Sequence, residues 1–326
     1  MEFYQKKENQ MAPRKLKIGF IGNFIPPYST ENDRLWSFLK LGHDVFAFQE
    51  NQTTVEDLKD FVFENPEPAL DLLVYSHTHD PSYNIVGLKE FFGLCKQMGV
   101  PTVSVHLDKW QGLGRVTDIG QEATWFTEYL FMADFSPEAQ ALYKQHNLNV
   151  HYLKAGVVER DCYMAAPDPV RFPHEIVFVG SKGYHPEYPF RPQLIEFLQK
   201  TYQHRFGHWG NDGLGVVRGH DLNVLYASAK IAVGDSCFAG QENYVSDRYY
   251  ETRGRGGLLV HPFVKGVDSV GLIGYKSGDL QDLKKCIDAL IQTGVSTDFR
   301  KRGFEWVKDH ETYTHRAQEM LEVIYG

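Results

Sequence analysis

Two short runs constrain this chain more than anything else in it. Leu16-Lys17-Ile18-Gly19-Phe20-Ile21-Gly22 and Glu175-Ile176-Val177-Phe178-Val179-Gly180 each read as a buried strand that ends in glycine and opens into a polar loop. A strand apolar on both faces belongs in a parallel sheet covered by helices, and the glycine marks a close approach of backbone to a ligand or helix. Between them, the stretch from Arg160 to Pro173 is rich in proline and lacks helical or strand periodicity, as a semi-extended connection would. A strand–glycine–loop opening that restarts after such a connector predicts an α/β protein of two Rossmann-like, doubly wound domains facing each other across a cleft. At 326 residues the chain exceeds what one core usually fills.

The remaining pattern supports that reading. In the first half a helix through Asp33–Leu41 leads to strands at Val45–Phe48, Asp71–Tyr75, Pro101–His106, Tyr129–Met132 and Val150–Leu153, with helices near Ile85–Met98 and Pro137–Gln145. In the second half a helix over Pro192–Thr201 precedes a strand at His204–Gly207. A helix capped by Asp221 then feeds the strand Lys230–Val233. Three amphipathic segments, Asp279–Gln292, Asp298–Asp309 and Tyr313–Ile324, close the chain. The expected division is a loose tail over 1–14, a first domain over 15–165, a second over 166–310, and a terminal helix over 311–326 that returns to the first domain.

Composition narrows the function classes. A net charge of -8 argues against a general nucleic-acid binder, which presents a basic face. Cys95, Cys162, Cys237 and Cys286 lie far apart and form no CxxC, so zinc knuckles and a disulfide framework are not indicated, and a cytoplasmic setting is expected. The first residues are polar, and no run approaches the roughly 20 apolar residues of a membrane span.

The densest chemistry lies in Ser246-Asp247-Arg248-Tyr249-Tyr250-Glu251-Thr252-Arg253-Gly254-Arg255-Gly256-Gly257-Leu258-Leu259-Val260: a short helix, a glycine turn and a buried strand. Ser246 or Asp247 can cap the helix, and Arg248 and Glu251, three apart, share a face. Helix amides and Arg248 suit a phosphate, while Glu251 can accept from paired sugar hydroxyls. The plainer reading is a solvated Arg–Glu pair.

Other candidates stand at predicted strand ends. Gly22 and Asn23 follow the first strand, and Gly180, Ser181 and Lys182 follow its counterpart, where Lys182 can meet a diphosphate. Trp209, in the loop from His208 to Gly213, can pack on a nucleobase; Gln241 and Tyr250 complete the donor-contact candidates. His106, Asp108 and Lys109 follow the fourth strand, and Asp108, or else His106, can serve as general base toward an acceptor hydroxyl. Glu242 is the third catalytic candidate. A capping Asp and a backbone-bonded His are the ordinary alternatives for Asp108 and His106. His77-Thr78-His79-Asp80 lacks the second His of an HxHxDH metal motif, so no metal site is assigned.

Leu222-x-x-Leu225-Tyr226-Ala227-x-Ala229-Lys230-Ile231, followed by Asp247-Arg248-x-x-Glu251-x-x-x-x-Gly256-Gly257-x-Leu259, resembles the C-terminal half of GT-B glycosyltransferases, group 1 and its CgeB-like branch. Gly42-His43-Asp44-Val45 is similar to an early segment of that superfamily. The resemblance implies a hexosyl- or pentosyltransferase that moves sugar from a nucleoside-diphosphate (NDP) sugar to an acceptor hydroxyl. Glu251 would hold the donor ribose, and Arg248 and Lys182 would face the diphosphate. No Asp-x-Asp pair is present to hold a metal, so metal-independent transfer is expected and no cofactor beyond the donor. The position eight before Glu251, often a second glutamate in retaining members, is Asn243, which leaves the stereochemistry open. Two other functions fit: a silent GT-like nucleotide-sugar-binding or structural protein, and an NDP-sugar epimerase or phosphorylase-like enzyme. The acceptor stays open among glycan, protein, small molecule and modified DNA base.

Overall fold

The computed structural model describes residues 14–63, 69–76, 85–108, 119–183, 187–237, 241–294 and 297–326. Two parallel sheets organise it. The first contains β1 (Lys17–Gly22), β2 (Asp44–Gln49), β3 (Leu72–Tyr75), β4 (Thr102–His106), β5 (Tyr129–Met132) and β6 (Val150–Tyr152) in the order β2-β1-β3-β4-β5-β6. The second contains β7 (Ile176–Val179), β8 (Phe206–Trp209), β9 (Ile231–Val233), β10 (Leu259–Pro262) and β11 (Leu272–Tyr275) in the order β11-β10-β9-β7-β8.

Strand alternation divides the apolar side chains between the faces of each sheet. In β3, Leu72 and Val74 join a cluster with Ile18, Phe20 and Phe38, whereas Leu73 and Tyr75 join Ile21, Leu58 and Phe91. In β7, Ile176 and Phe178 pack with Leu194 and Leu198, whereas Val177 and Val179 pack with Leu225 and Tyr226. Each such buried side chain contributes about 1.5–3 kcal/mol. The helices that cover these faces are α1 (Thr30–Lys40), α2 (Val55–Phe63), α3 (Leu88–Gln97) and α4 (Pro137–Gln145) in the first half. In the second they are α5 (Phe190–Tyr202), α6 (Gly219–Ser228), α7 (Arg248–Gly254), α8 (Leu280–Thr293) and α9 (Thr297–His310). The last helix, α10 (Tyr313–Tyr325), sends Ala317 and Met320 into the cluster of Ile18 and Phe20, so the end of the chain completes the first sheet's core.

In both sheets the chain winds outward in two directions from one strand, β1 or β7. The crevices between the carboxyl ends of β1 and β3 and of β7 and β9 are therefore topological switch points, where open α/β sheets bind ligands.

Several elements differ from expectation. Ser29 caps α1 by accepting from Asn32 N, so the helix begins three residues before Asp33. Neither α2 nor β11 was expected. Helix α6 begins at Gly219 after Arg218, which makes no side-chain cap bond; Asp221, expected as the cap, instead receives Arg171 Nη1 at 2.7 Å. A 3-10 turn over Gln203–Arg205 delays β8 by two residues and draws Trp209 into the strand. Among the described residues no helix is long and apolar enough to cross a membrane.

Candidate active site

The carboxyl ends of β7 and β9 are joined by one side chain. Arg248 Nε donates to Val179 O at the end of β7 at 2.7 Å, and Nη1 donates to Asp235 O, just past β9, at 3.1 Å. The guanidinium carbon lies 4.9 Å from the Phe178 ring centroid. This geometry requires glycine at 180: its φ is +136°, and a Cβ there would lie 2.3 Å from Arg248 Nη2. The fully buried Asp235 carboxylate, 3.6 Å from Arg248 Nη1, also accepts from Arg191 Nε at 3.0 and 3.1 Å. Two guanidiniums thus share one carboxylate, leaving one positive charge in excess. Burial, then Arg191, opposes the charge on Arg248; since a guanidinium does not give up its proton, an anion at Nη2 would relieve that opposition.

The loop that carries Asp235 is pinned from behind. His261 Nδ1 meets Pro262 O at 2.8 Å, a contact that places the proton on Nδ1 and leaves Nε2 to accept from Ser236 Oγ at 3.1 Å. Ser236 Oγ in turn accepts from Ser246 N at 3.0 Å. Burial pushes His261 down to about 4, so the ring stays neutral near pH 7 and the network keeps one polarity.

Arg248 opens into a cleft of about 180 Å³ between the two domains. Tyr28, Thr30 and Asp33 line it from the first domain; Gly180, Arg218, Arg248, Glu251 and Arg255 line it from the second, with Tyr313 of α10. Glu251 Oε2 accepts from Arg255 Nε at 2.6 Å. Arg255 also donates to Asn223 Oδ1 at 2.5 Å, Gly219 O at 3.2 Å and Asp161 Oδ2 at 2.6 Å. It therefore ties α6, α7 and the interdomain crossing into one block. Burial raises the Glu251 carboxyl, and Arg255 works against that rise. Across the cleft, Asp33 Oδ1 accepts from Arg160 Nη2 at 2.9 Å. Burial first and then the Glu251 charge push Asp33 up to about 7, with Arg160 opposing.

One expectation needs correction: the first amides of α7 are not available to an anion. Arg248 N donates to Asp247 Oδ1 at 3.1 Å, Tyr249 N to Ser246 O at 2.9 Å and Tyr250 N to Asp247 O at 2.9 Å. The helix has only 7 residues, so its dipole is small, and the positive charge at this site is carried by side chains.

The cleft brings together Arg248, Glu251 and Gly180 of the residues singled out in the sequence. Ser181 follows directly, its carbonyl accepting from Arg191 Nη1 at 3.4 Å, and Lys182 is exposed, its backbone N donating to Asp212 Oδ2 at 2.8 Å. Tyr250 is not in the cleft: it is fully buried beneath Arg253 and Arg316. Trp209, as a strand residue, packs its indole edge-on to Phe172 at 5.3 Å and against His174, so its rings serve the core rather than a free stacking face. Glu242 turns to Lys265 Nζ at 2.5 Å and Gln241 Oε1 is buried; neither lines the cleft. Gly22 closes β1 against Glu31, whose Cγ would lie 2.8 Å from a Cβ, and Asn23 Oδ1 accepts from Gln49 Nε2 at 3.2 Å. His106 is buried at the end of β4 with Nδ1 3.1 Å from Asp108 O, in the first domain and outside the cleft lining. Lys109, His77, His79 and Asp80 lie outside the described residues. Asp33, Asp161, Arg160, Arg218 and Arg255 carry the site as well and were not singled out. Among the described residues no three His, Cys, Asp or Glu side chains are grouped to hold a metal.

Comparison with known proteins fits this geometry. Residues 191–322 match the family model described as Glycosyl transferase-like. Over the whole chain, similar solved structures include HepE of Anabaena in complex with UDP-glucose: TM-score 0.60, 13% identity, 95% of this chain and 99% of that one covered. T4 phage BGT in complex with its UDP-glucose substrate gives TM-score 0.58 and 12% identity, covering 95% of this chain and 100% of that one. Sucrose-phosphate synthase from Thermosynechococcus elongatus gives the same TM-score of 0.58 at 12% identity, covering 95% of this chain and 98% of that one.

The fold is GT-B.

No curated protein matches the sequence significantly. Within this GT-B framework the matched segment contains Asp235, Arg248, Glu251 and Arg255, whereas Gly180, Asp33 and Arg160 lie before it.

Proposed function

We propose that the chain is a glycosyltransferase that moves a sugar from an NDP-sugar to an acceptor hydroxyl without a metal. The observation that carries this reading is Arg248, placed at the switch point of the second sheet with Nη2 against Gly180 and its other nitrogens committed to carbonyls. In transfer, the anomeric carbon gains a bond to the acceptor oxygen as its bond to the β-phosphate breaks, and negative charge grows on the leaving diphosphate. A guanidinium fixed in advance, and backed by Arg191 through Asp235, stabilises that charge without reorganisation. Arg218 at the cleft and the exposed Lys182 add a second layer of positive charge. Glu251, held through Oε2 by Arg255, turns its other oxygen to the ribose. On the acceptor side Asp108 takes the hydroxyl proton, with His106 as the alternative base. The residue pattern quoted above favours the CgeB-like branch, and the four free cysteines suit a cytoplasmic setting.

The test is a calorimetric and turnover panel of UDP, GDP, dTDP, ADP and CMP with their sugars, run with and without EDTA. Arg248→Ala and Glu251→Ala are each expected to weaken the preferred donor by about tenfold or more, a charged hydrogen bond lost in each case. Asp108→Ala should keep donor binding and lose transfer, and EDTA should leave turnover unchanged. Wild-type affinity in both of the first two variants would remove the site assignment.

A further inference from the structure

We infer that Asp33 is the first-domain half of a two-carboxyl clamp on the ribose diol of the donor, which makes this cleft selective for ribonucleoside over 2′-deoxyribonucleoside diphosphates. The inference rests on the function proposed above and adds to it a residue from the opposite domain. Asp33 and Glu251 line one cavity from its two sides. Each is held by one guanidinium through one oxygen: Asp33 Oδ1 by Arg160 at 2.9 Å, Glu251 Oε2 by Arg255 at 2.6 Å. In each, the second oxygen has no hydrogen bond among the described residues, and both side chains are mostly enclosed, at 15% and 19% exposure.

Two acceptors facing each other across a small cavity suit a ligand with two adjacent hydroxyl donors. A vicinal diol supplies one O–H to each carboxyl and separates two groups that otherwise repel. The groups facing Asp33 are Glu251 and Asp161, which disfavour its charge, and Arg160 and Arg255, which favour it. A cation between the carboxylates is the other chemistry to weigh. Here the two arginines already neutralise one oxygen of each, and no metal-ligating group of three is present among the described residues. A clamp made from both domains also makes donor recognition depend on how the two domains face each other.

The experiment measures affinities of UDP, GDP and ADP and of their 2′-deoxy counterparts for the full-length wild type, Asp33→Ala and Glu251→Ala, after thermal melting has shown each variant folded. Wild type should prefer the ribonucleotide of its favoured base by about tenfold or more, the loss expected when a charged acceptor is left without its donor. Asp33→Ala should shrink that ratio several-fold, chiefly by weakening the ribonucleotide; general damage to the cleft would weaken both sugars alike. Ribo and deoxy forms binding equally to wild type, or an unchanged ratio in Asp33→Ala, would overturn the clamp while leaving a nucleotide site in place. If a divalent cation is needed for the ribo preference, the clamp is overturned in favour of a metal bridge. No nucleotide binding by wild type would overturn both this inference and the proposed function.

Discussion

A carboxyl that is hard to ionise leaves a signature in stability. Asp33 ionises near 3.9 in an unfolded chain and at about 7 in the folded protein, where burial and Glu251 outweigh Arg160. The folded state therefore binds the proton more tightly. Asp33 contributes stability that is fully present below about pH 4 and is lost as pH rises through about 7. Asp33→Asn cannot ionise, so against wild type it should gain on the order of 4 kcal/mol between pH 4 and pH 8. Urea denaturation at the two pH values reads this, and an equal difference at both would rule the assignment out. The residue also shows where the sequence stops speaking. Arg248 and Glu251 are legible because their spacing on one short helix states their relation. Asp33 acquires its meaning from Arg160, 127 positions away, and from a helix start set by Ser29.

Among elements, α6, α7 and the segment around Asp161 behave as one unit because Arg255 donates to all three. Arg255 is 5% exposed, so Arg255→Ala would leave the Glu251 and Asp161 carboxylates enclosed without their cation. Breaking a buried pair from one side costs about 3–5 kcal/mol. The variant should lose that much in chemical denaturation, and donor affinity should fall with it because Glu251 is no longer held. A loss below about 1 kcal/mol would show that the carboxylates relax into water. Arg255→Lys should recover only part, since a single ammonium cannot span three elements. The elements themselves were legible where burial is continuous: β1, β7 and the start of β10 are apolar runs that admit few alternatives, and β4 sets Val103 and Val105 between Thr102, Ser104 and His106. Helix α2 shows a single stripe, with Val55, Leu58 and Val62 buried, and β11 is an edge strand with Ile273 and Gly274 partly open. Neither produces an unbroken apolar run, and both were missed. Trp209 was misplaced for a related reason: the turn at Gln203, with φ +48°, shifts β8 by two residues and reverses the role of the indole from ligand platform to core.

In the whole molecule the chain crosses between its domains twice, and the two crossings run side by side. Val157 N donates to Glu311 O at 3.3 Å and Tyr313 N to Val157 O at 3.0 Å, next to the fully buried Thr312 that caps α10. Beyond that junction α10 packs on the first sheet, while α9 before it packs on α7, so this seam sets how the two halves of the cleft face each other. Gly156 sits in the seam with no room to spare: a Cβ there would lie 3.1 Å from Thr312 C and from Tyr313 N, backbone atoms that cannot rotate away. Gly156→Val should therefore push the crossings apart, at a cost of about 1–3 kcal/mol for overpacking. Each domain keeps its own core, so the variant should still fold. Its distinguishing effect is on function: Asp33 and Glu251 belong to opposite sides of the seam, and separating them should lower ribonucleotide affinity more than 2′-deoxyribonucleotide affinity. Titration calorimetry with both nucleotides checks this, and equal losses for the two would mean that the seam governs stability without governing the register of the cleft.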